Sequence, residues 1–366
     1  MKMKGVTKEN RRFLHGSMIL NVPAGCINLG ENGIKHIYTK VKGKSVKTSY
    51  IAGQSMKAKI KDKMEEDGVK LSIPKIVQES GKKNTPTTSC NPFEYLDDDL
   101  FGYMNVIPAN DKDKVDEDNK GTTRVAPFKI SYFIGREGDI KEDYGVKRNG
   151  ALVDGQLTTM PLTGDTRNFA STQYSGCFMI DLNCAGRFFR KNIAGFKNIS
   201  EKFPVERYND LLIECEDDEF ILKPEIRTER IQTLIETLPY LTGGAKLSTI
   251  YADIAPKFVV YCIMDIGNNI FQEISNPMED FNINAFKEGI LDYKDHIKSD
   301  IYIAKKNGFL DEHTNALKEF IDSFNMENKD KDIQIICNED LSGINEITKR
   351  FSKEVLSKIY YSVENI

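Results

Sequence analysis

Nine lysines fall between Gly33 and Met64: Lys35, Lys40, Lys42, Lys44, Lys47, Lys57, Lys59, Lys61 and Lys63, against a single acid, Asp62. The whole protein carries a net charge of −4, so this is a local cationic patch on a mildly acidic molecule. Lysines neutralise phosphates and release their counterions, so such a patch suits a polyanion. A solvated lysine-rich face has the same composition, and charge alone does not separate the two readings. Lys40, Lys42 and Lys44 alternate, which in one extended segment sets them on one side of it. Ser45, Tyr50, Gln54 and Ser55 lead into the helix that follows, whose first N–H groups favour an anion. The candidate binding set is therefore Lys35, His36, Lys40, Lys42, Lys44, Ser45, Tyr50, Gln54, Ser55, Lys57 and Lys59, joined by Asn21 from the strand before it. A second loop, Gly243-Gly244-Ala245-Lys246, offers close backbone approach and a cation. An ordinary helix stop reads the same way.

Other chemistries find little support. Gly43-Lys44-Ser45 resembles the end of a phosphate-binding loop, but Tyr38 stands where that motif needs its first glycine. His15, His36, His296 and His313 have no zinc-motif neighbours; His15 reads as a satisfied strand residue, and His36 as a phosphate contact. Asp97-Asp98-Asp99 is read as a charged turn rather than a cation site, since no acidic ligands follow at regular spacing. No nucleophile elbow is present. The expectation is no catalytic residue, no metal and no cofactor. The seven scattered cysteines lack a C-x-x-C pair, and no secretory signal precedes them, which points to reduced thiols in the cytoplasm. The most apolar run, Phe258 to Met264, is a buried strand and too short for a membrane.

The positioning elements follow from periodicity. Phe13 to Val22 alternates as a strand, and Pro23, Gly25, Gly30 and Gly33 open a loop that runs to about Ser49. Ala52, Met56, Ile60 and Met64 recur every four residues along one helix face, with Ser49 as the expected N-cap. The pattern is lost from Gly68 to Thr123. Arg124 to Phe133 is a second strand, Gly135 to Thr172 is again irregular, and Gly176 to Phe189 is a third strand. A linker containing Pro204 and Pro224 leads to a helix over Ile226 to Leu238, with Ile231, Leu234, Ile235 and Leu238 on one face. Phe258 to Asp265 is the fourth strand. The chain then reads as helical, and Ile344, Ile347, Phe351, Val355 and Ile359 form a stripe that packs on the core. The order βαββαβ predicts an α+β, ferredoxin-like (RRM-like) fold with insertions at 68–123 and 135–172 and a helical part over 268–366. Gly186-Arg187-Phe188-Phe189 is a poor match to an RNP signature, so its phenylalanines are assigned to the core.

Short blocks along this frame carry a resemblance. They are Leu14-His15-Gly16, Tyr50-Ile51-Ala52-Gly53-Gln54-Ser55-Met56-Lys57, Asp98-Asp99-Leu100-Phe101-Gly102-Tyr103-Met104, Arg124-Val125-Ala126-Pro127, Tyr174-Ser175-Gly176-Cys177-Phe178 and Leu241-Thr242-Gly243-Gly244-Ala245-Lys246. In this order the chain resembles the backbone subunits of type I Cascade complexes, in the DevR-like branch of type I-B CRISPR systems of the RAMP superfamily. The resemblance implies a right-hand shape: a ferredoxin-like palm, fingers at 68–123 and a thumb at 135–172. It also implies several copies stacked along a crRNA, target DNA pairing with that guide, and contacts with other Cascade subunits. Met160, Leu162 or Phe169 would then serve as a thumb wedge that displaces a base. Relatives that cut RNA use an aspartate in the loop after the first strand. Here 25–49 holds only Glu31 as an acid, so the expectation is a non-catalytic subunit. A metal-dependent ribonuclease and a free-standing single-stranded RNA-binding regulator are the alternatives.

Overall fold

β1 (Phe13–Gly25) is buried on both faces because two apolar clusters sandwich it. Leu14, Met18, Leu20 and Val22 belong to one cluster and Ile19 to the other. Gly16 has a packing reason: a Cβ there would lie 2.3 Å from the Phe178 ring on the next strand. The computed structural model describes residues 11–30, 33–77, 85–105, 121–137, 140–144, 148–162, 166–191, 197–213, 218–244, 250–329 and 333–361.

Besides several short strands and 3-10 turns, the elements that build the main sheet, its covering helices and the candidate site are β2 (His36–Val41), β3 (Lys44–Ile51), α1 (Gly53–Glu66), α2 (Leu96–Leu100), β4 (Phe128–Ile130), β5 (Phe133–Glu137), β6 (Ile140–Tyr144), β7 (Arg148–Val153), β8 (Gln156–Leu162), β9 (Thr166–Asp181), α3 (Pro224–Thr237), β10 (Pro256–Met264), α4 (Ile283–Asp292), β11 (Ile301–Lys305), α5 (Thr314–Glu327), β12 (Ile335–Ile336) and α6 (Ile344–Glu354). The main sheet has ten strands in the order β12-β11-β10-β1-β9-β5-β3-β2, with β4 and β6 also pairing with β9. Within it, β10-β1-β9-β4/β5 is the antiparallel ferredoxin-like core. α1 and α3 cover one face, and α4 and α5 cover the other over β1 and β10. The fold is thus α+β and ferredoxin-like, and the predicted α3 face is buried throughout at Ile231, Leu234, Ile235 and Leu238. Ile347 and Phe351 of the final stripe are buried in the same cluster, with Ile344, Val355 and Ile359 packed against it.

Several expectations need correction. The loop over 23–49 contains the hairpin β2/β3, because alternating Ile37, Thr39, Val46 and Thr48 give it a second, less exposed face. Ser49 is not the N-cap: it is buried in β3 and its Oγ hydrogen-bonds the Tyr174 hydroxyl at 2.8 Å, while Ala52 precedes the helix without a side-chain cap. The second strand breaks into β4 and β5. The third is Thr166–Asp181, and Arg187–Phe189 joins a separate small sheet with Glu219–Leu222 and Leu212–Ile213. The expected linker therefore carries structure, held by its own core of Phe93, Phe188, Ile199, Phe203, Val205 and Leu222. The irregular stretch 135–172 contains strands, including the hairpin β7/β8. The C-terminal part is not purely helical, since β11 and β12 extend the main sheet.

Asp97, Asp98 and Asp99 are not a surface turn. All three are buried in α2. Asp99 pairs with Arg124 and, at 2.8 Å, with Arg230, and it accepts the Gly186 N–H at 3.0 Å. The arginines spend their other N–H groups on carbonyls: Arg124 on Arg187 O (2.9 Å) and Cys184 O (2.9 Å), Arg230 on Pro92 O (2.7 Å) and Phe93 O (2.7 Å). Asp97 accepts the Ser72 N–H at 2.9 Å, and burial raises its carboxyl to about 6. A buried pair loses far more when one partner is removed than it contributes net. Asp99→Ala is expected to lower unfolding free energy by about 3–5 kcal/mol, read by urea denaturation. A loss below about 1 kcal/mol, the range of an exposed pair, would show that the cluster is not a structural centre.

Candidate nucleic-acid interface

The hairpin β2/β3 forms the outer edge of the main sheet, and its turn is Lys42-Gly43, both in the left-handed region (φ 47° and 79°). The turn divides the lysines. Lys40 pairs with Ser45 and Tyr38 with Lys47, so His36, Tyr38, Lys40, Ser45 and Lys47 share one exposed face. Lys44 pairs with Val41 and belongs to the opposite face, with Lys42 at the tip. The expectation that Lys40, Lys42 and Lys44 stand on one side fails for this reason. Lys35 and His36 are exposed, and the His36 ring packs edge-on against Tyr38 at 5.9 Å. Tyr38 is 68% exposed. No acid occurs from Gly33 to Ala52.

On the opposite face, Tyr50 stacks on Tyr132 with centroids 5.1 Å apart and planes 16° apart. The Tyr50 carbonyl accepts Asn28 Nδ2 at 2.8 Å, and Thr48 Oγ1 donates to Gly135 O at 2.6 Å, which fix the hairpin to the core. A cleft of about 320 Å³ lies beside this stack, between the hairpin and the segment 272–277. Asn21 sits in β1 opposite Gln173 of β9 and is half-buried.

α1 divides the rest of the set. Gln54 is exposed and Ser55 half-buried in its first turn, which holds no acidic residue. Lys57 Nζ lies 5.6 Å from the Phe128 ring centroid and 5.9 Å from that of Phe101, and burial, aided by Lys61, lowers its ammonium to about 8. Lys59 is not the open contact expected of it. It is buried, burial lowers its pKa, and a Cβ on Gly243 would stand only 3.2 Å from its Nζ. The structure thus brings Lys59 under the Gly243-Gly244 loop, where the absence of a side chain at Gly243 makes room for the ammonium. Ala245, Lys246 and Glu31 lie outside the described residues.

Met160 and Leu162 lie in β8, and half-buried Phe169 pairs with Lys141 of β6. The sequence reading missed Leu152 and Leu157, which face each other across the tip of the β7/β8 hairpin and are 72% and 82% exposed. The signal was Asp154-Gly155 flanked by alternating apolar residues, a hairpin signature. Among the described residues no acidic, histidine and cysteine group could hold a metal ion, and no helix is long and apolar enough to cross a membrane.

No family profile and no curated protein matches the sequence. Solved structures do resemble the fold. A chain of a "CRISPR RNA-guided surveillance complex, pre-nicking" aligns over 82% of this chain and 94% of its own, with a TM-score of 0.52 and 10% identity. A chain of a "CRISPR RNA-guided surveillance complex" aligns over 82% and 91%, with a TM-score of 0.48 and 11% identity. The structural neighbours are thus parts of CRISPR surveillance assemblies, and at this identity the likeness is one of fold.

The depressed Lys57 has a measurable consequence. Its folded form sheds a proton near pH 8, whereas the unfolded chain holds it to about pH 10.5. The unfolded state then binds more protons across that window, so stability rises with pH there. Wild type is expected to gain stability relative to Lys57→Met between pH 8 and 10.5, measured by urea midpoints. Parallel curves would place Lys57 in water.

Proposed function

We propose that the protein is a non-catalytic subunit that coats the guide RNA of a CRISPR surveillance complex in several copies. The observation that carries this reading is the sheet's edge hairpin, where lysines, His36 and Tyr38 stand exposed with no acid among them. Cations that follow a backbone, interleaved with rings that accept any base, are the chemistry of sequence-tolerant single-strand binding. The fold likeness to a chain from an RNA-guided surveillance complex supports the same assignment. On this reading the partners are crRNA, target DNA paired with it, neighbouring copies and other Cascade subunits, in a type I-B, DevR-like system of the cytoplasm. Base pairing supplies sequence specificity, so the protein needs only backbone contacts. The exposed Leu152 and Leu157 pair joins Met160, Leu162 and Phe169 as a candidate wedge, since an apolar tip seated beside a base offsets the cost of unstacking it.

Charge reversal tests the interface. Lys40→Glu, Lys42→Glu and Lys44→Glu together are expected to weaken single-stranded RNA binding and to flatten its salt slope by roughly 2, about 0.7 for each phosphate no longer neutralised. Unchanged affinity and slope would remove the hairpin from the interface. Mass photometry with RNAs of increasing length separates a coat from a lone regulator: the copy number is expected to rise with length. The RNA is expected to stay intact with Mg²⁺ or Mn²⁺, and a cleavage activity that disappears in Glu31→Ala would establish the ribonuclease instead.

A further inference from the structure

The cleft beside the Tyr50–Tyr132 stack differs from the basic edge in what lines it. Its floor is Ile134 and Ser175, which are direct partners across β5 and β9. Tyr132, 53% exposed, stands on one side. Lys40 lines its hairpin wall, and Lys44 lies cross-strand to Val41, another lining residue. The opposite wall comes from the C-terminal part, and there the exposed Gln272 and Glu273 face the cleft. Thr39 Oγ1, in the hairpin wall, has no hydrogen-bond partner. A volume of about 320 Å³ is at the small end of ligand pockets.

From this geometry we infer that the cleft is a single-nucleotide pocket that selects bases carrying an exocyclic amine. The inference rests on the nucleic-acid reading above and deepens it at one position. Lys44, on the same hairpin face as the lining residues Thr39 and Val41, takes the phosphate. Tyr132, braced from behind by Tyr50, stacks on the base. Gln272 and Glu273 meet the base edge. A carboxylate accepts a hydrogen bond from an amine such as cytosine N4, and it meets only an acceptor at uracil O4. A carboxylate beside a phosphate track is unfavourable, so Glu273 makes chemical sense at a base edge and not on a backbone path. The pocket wall lies beyond Asn268, in the part of the chain that carries none of the resembling blocks.

The test uses the full chain with two sets of probes. CMP and UMP are titrated by ligand-observed NMR, and rU12 by fluorescence anisotropy. CMP is expected to bind roughly three- to tenfold tighter than UMP, a fraction of the discrimination of a buried base contact because Glu273 is exposed. Glu273→Gln is expected to remove most of that preference, and Tyr132→Ala to weaken both nucleotides alike. Equal binding of CMP and UMP by wild type, or a preference unchanged in Glu273→Gln, overturns the pocket. Failure of rU12 to bind while CMP keeps its preference removes the coat reading and leaves the pocket standing.

Discussion

One buried carboxylate organises the contacts between elements. Asp99 is far from the exposed lysines in chemical character, yet it joins four pieces of chain: α2, the Arg124 segment, the turn at Gly186 and α3. A lone buried carboxylate is costly, and two guanidinium groups with one backbone N–H offset that cost. Each guanidinium presents several donors in a fixed plane, so each also satisfies backbone carbonyls: Arg124 those of Cys184 and Arg187 at the turn, Arg230 those of Pro92 and Phe93 before α2. Arg227 repeats the device one helical turn earlier, donating to Ala185 O and Leu182 O at 2.9 Å each and lying 3.8 Å from the Tyr360 ring centroid. The turn after β9 is therefore held from α3, and the C-terminal segment closes over the same arginine.

With that centre fixed, the sheet is covered unequally. α4 and α5 shield β1 and β10, and α1 with α3 shields the other face, but β2 at the edge is covered by neither. Edge strands with unpaired backbone groups invite aggregation, and lysines are a common protection. The hairpin lysines serve that purpose whatever else they bind. The aromatic members are what an edge guard does not require. His36 and Tyr38 on one face, and Tyr50 stacked on Tyr132 on the other, give the edge two surfaces of different chemistry.

The sequence disclosed what repeats at short range. The faces of α1 and α3, the strands β1 and β10 and the βαββαβ order all follow from apolar spacing. What stayed hidden depended on partners far along the chain. Asp97 and Asp99 looked like part of a solvated run because their partners Ser72 and Arg230 lie 25 and 131 residues away. Lys59 looked like an exposed contact because nothing local shows that Gly243 leaves space for it. The Lys42-Gly43 turn was legible in principle, yet lysine at a positive φ is uncommon and masks the hairpin. Several blocks behind the family resemblance, including Gly16, Asp99, Arg124 and Gly176, are explained by packing and charge pairing. They speak for the fold more than for a ligand.

β9 runs for 16 residues from Asp181 at the turn beneath the arginines to Thr166 beside the β7/β8 hairpin. At about 3.4 Å per residue that is a rod of roughly 50 Å. It is laddered to β1 along its inner part and to β6 along its outer part. A protrusion carried on such a rod has a length counted in whole residues. Removing one residue would turn every side chain beyond it to the opposite face, whereas removing two would shorten the reach and keep the facing. Variation in how far this hairpin extends should accordingly come in even steps, in the manner of a ruler with two-residue divisions.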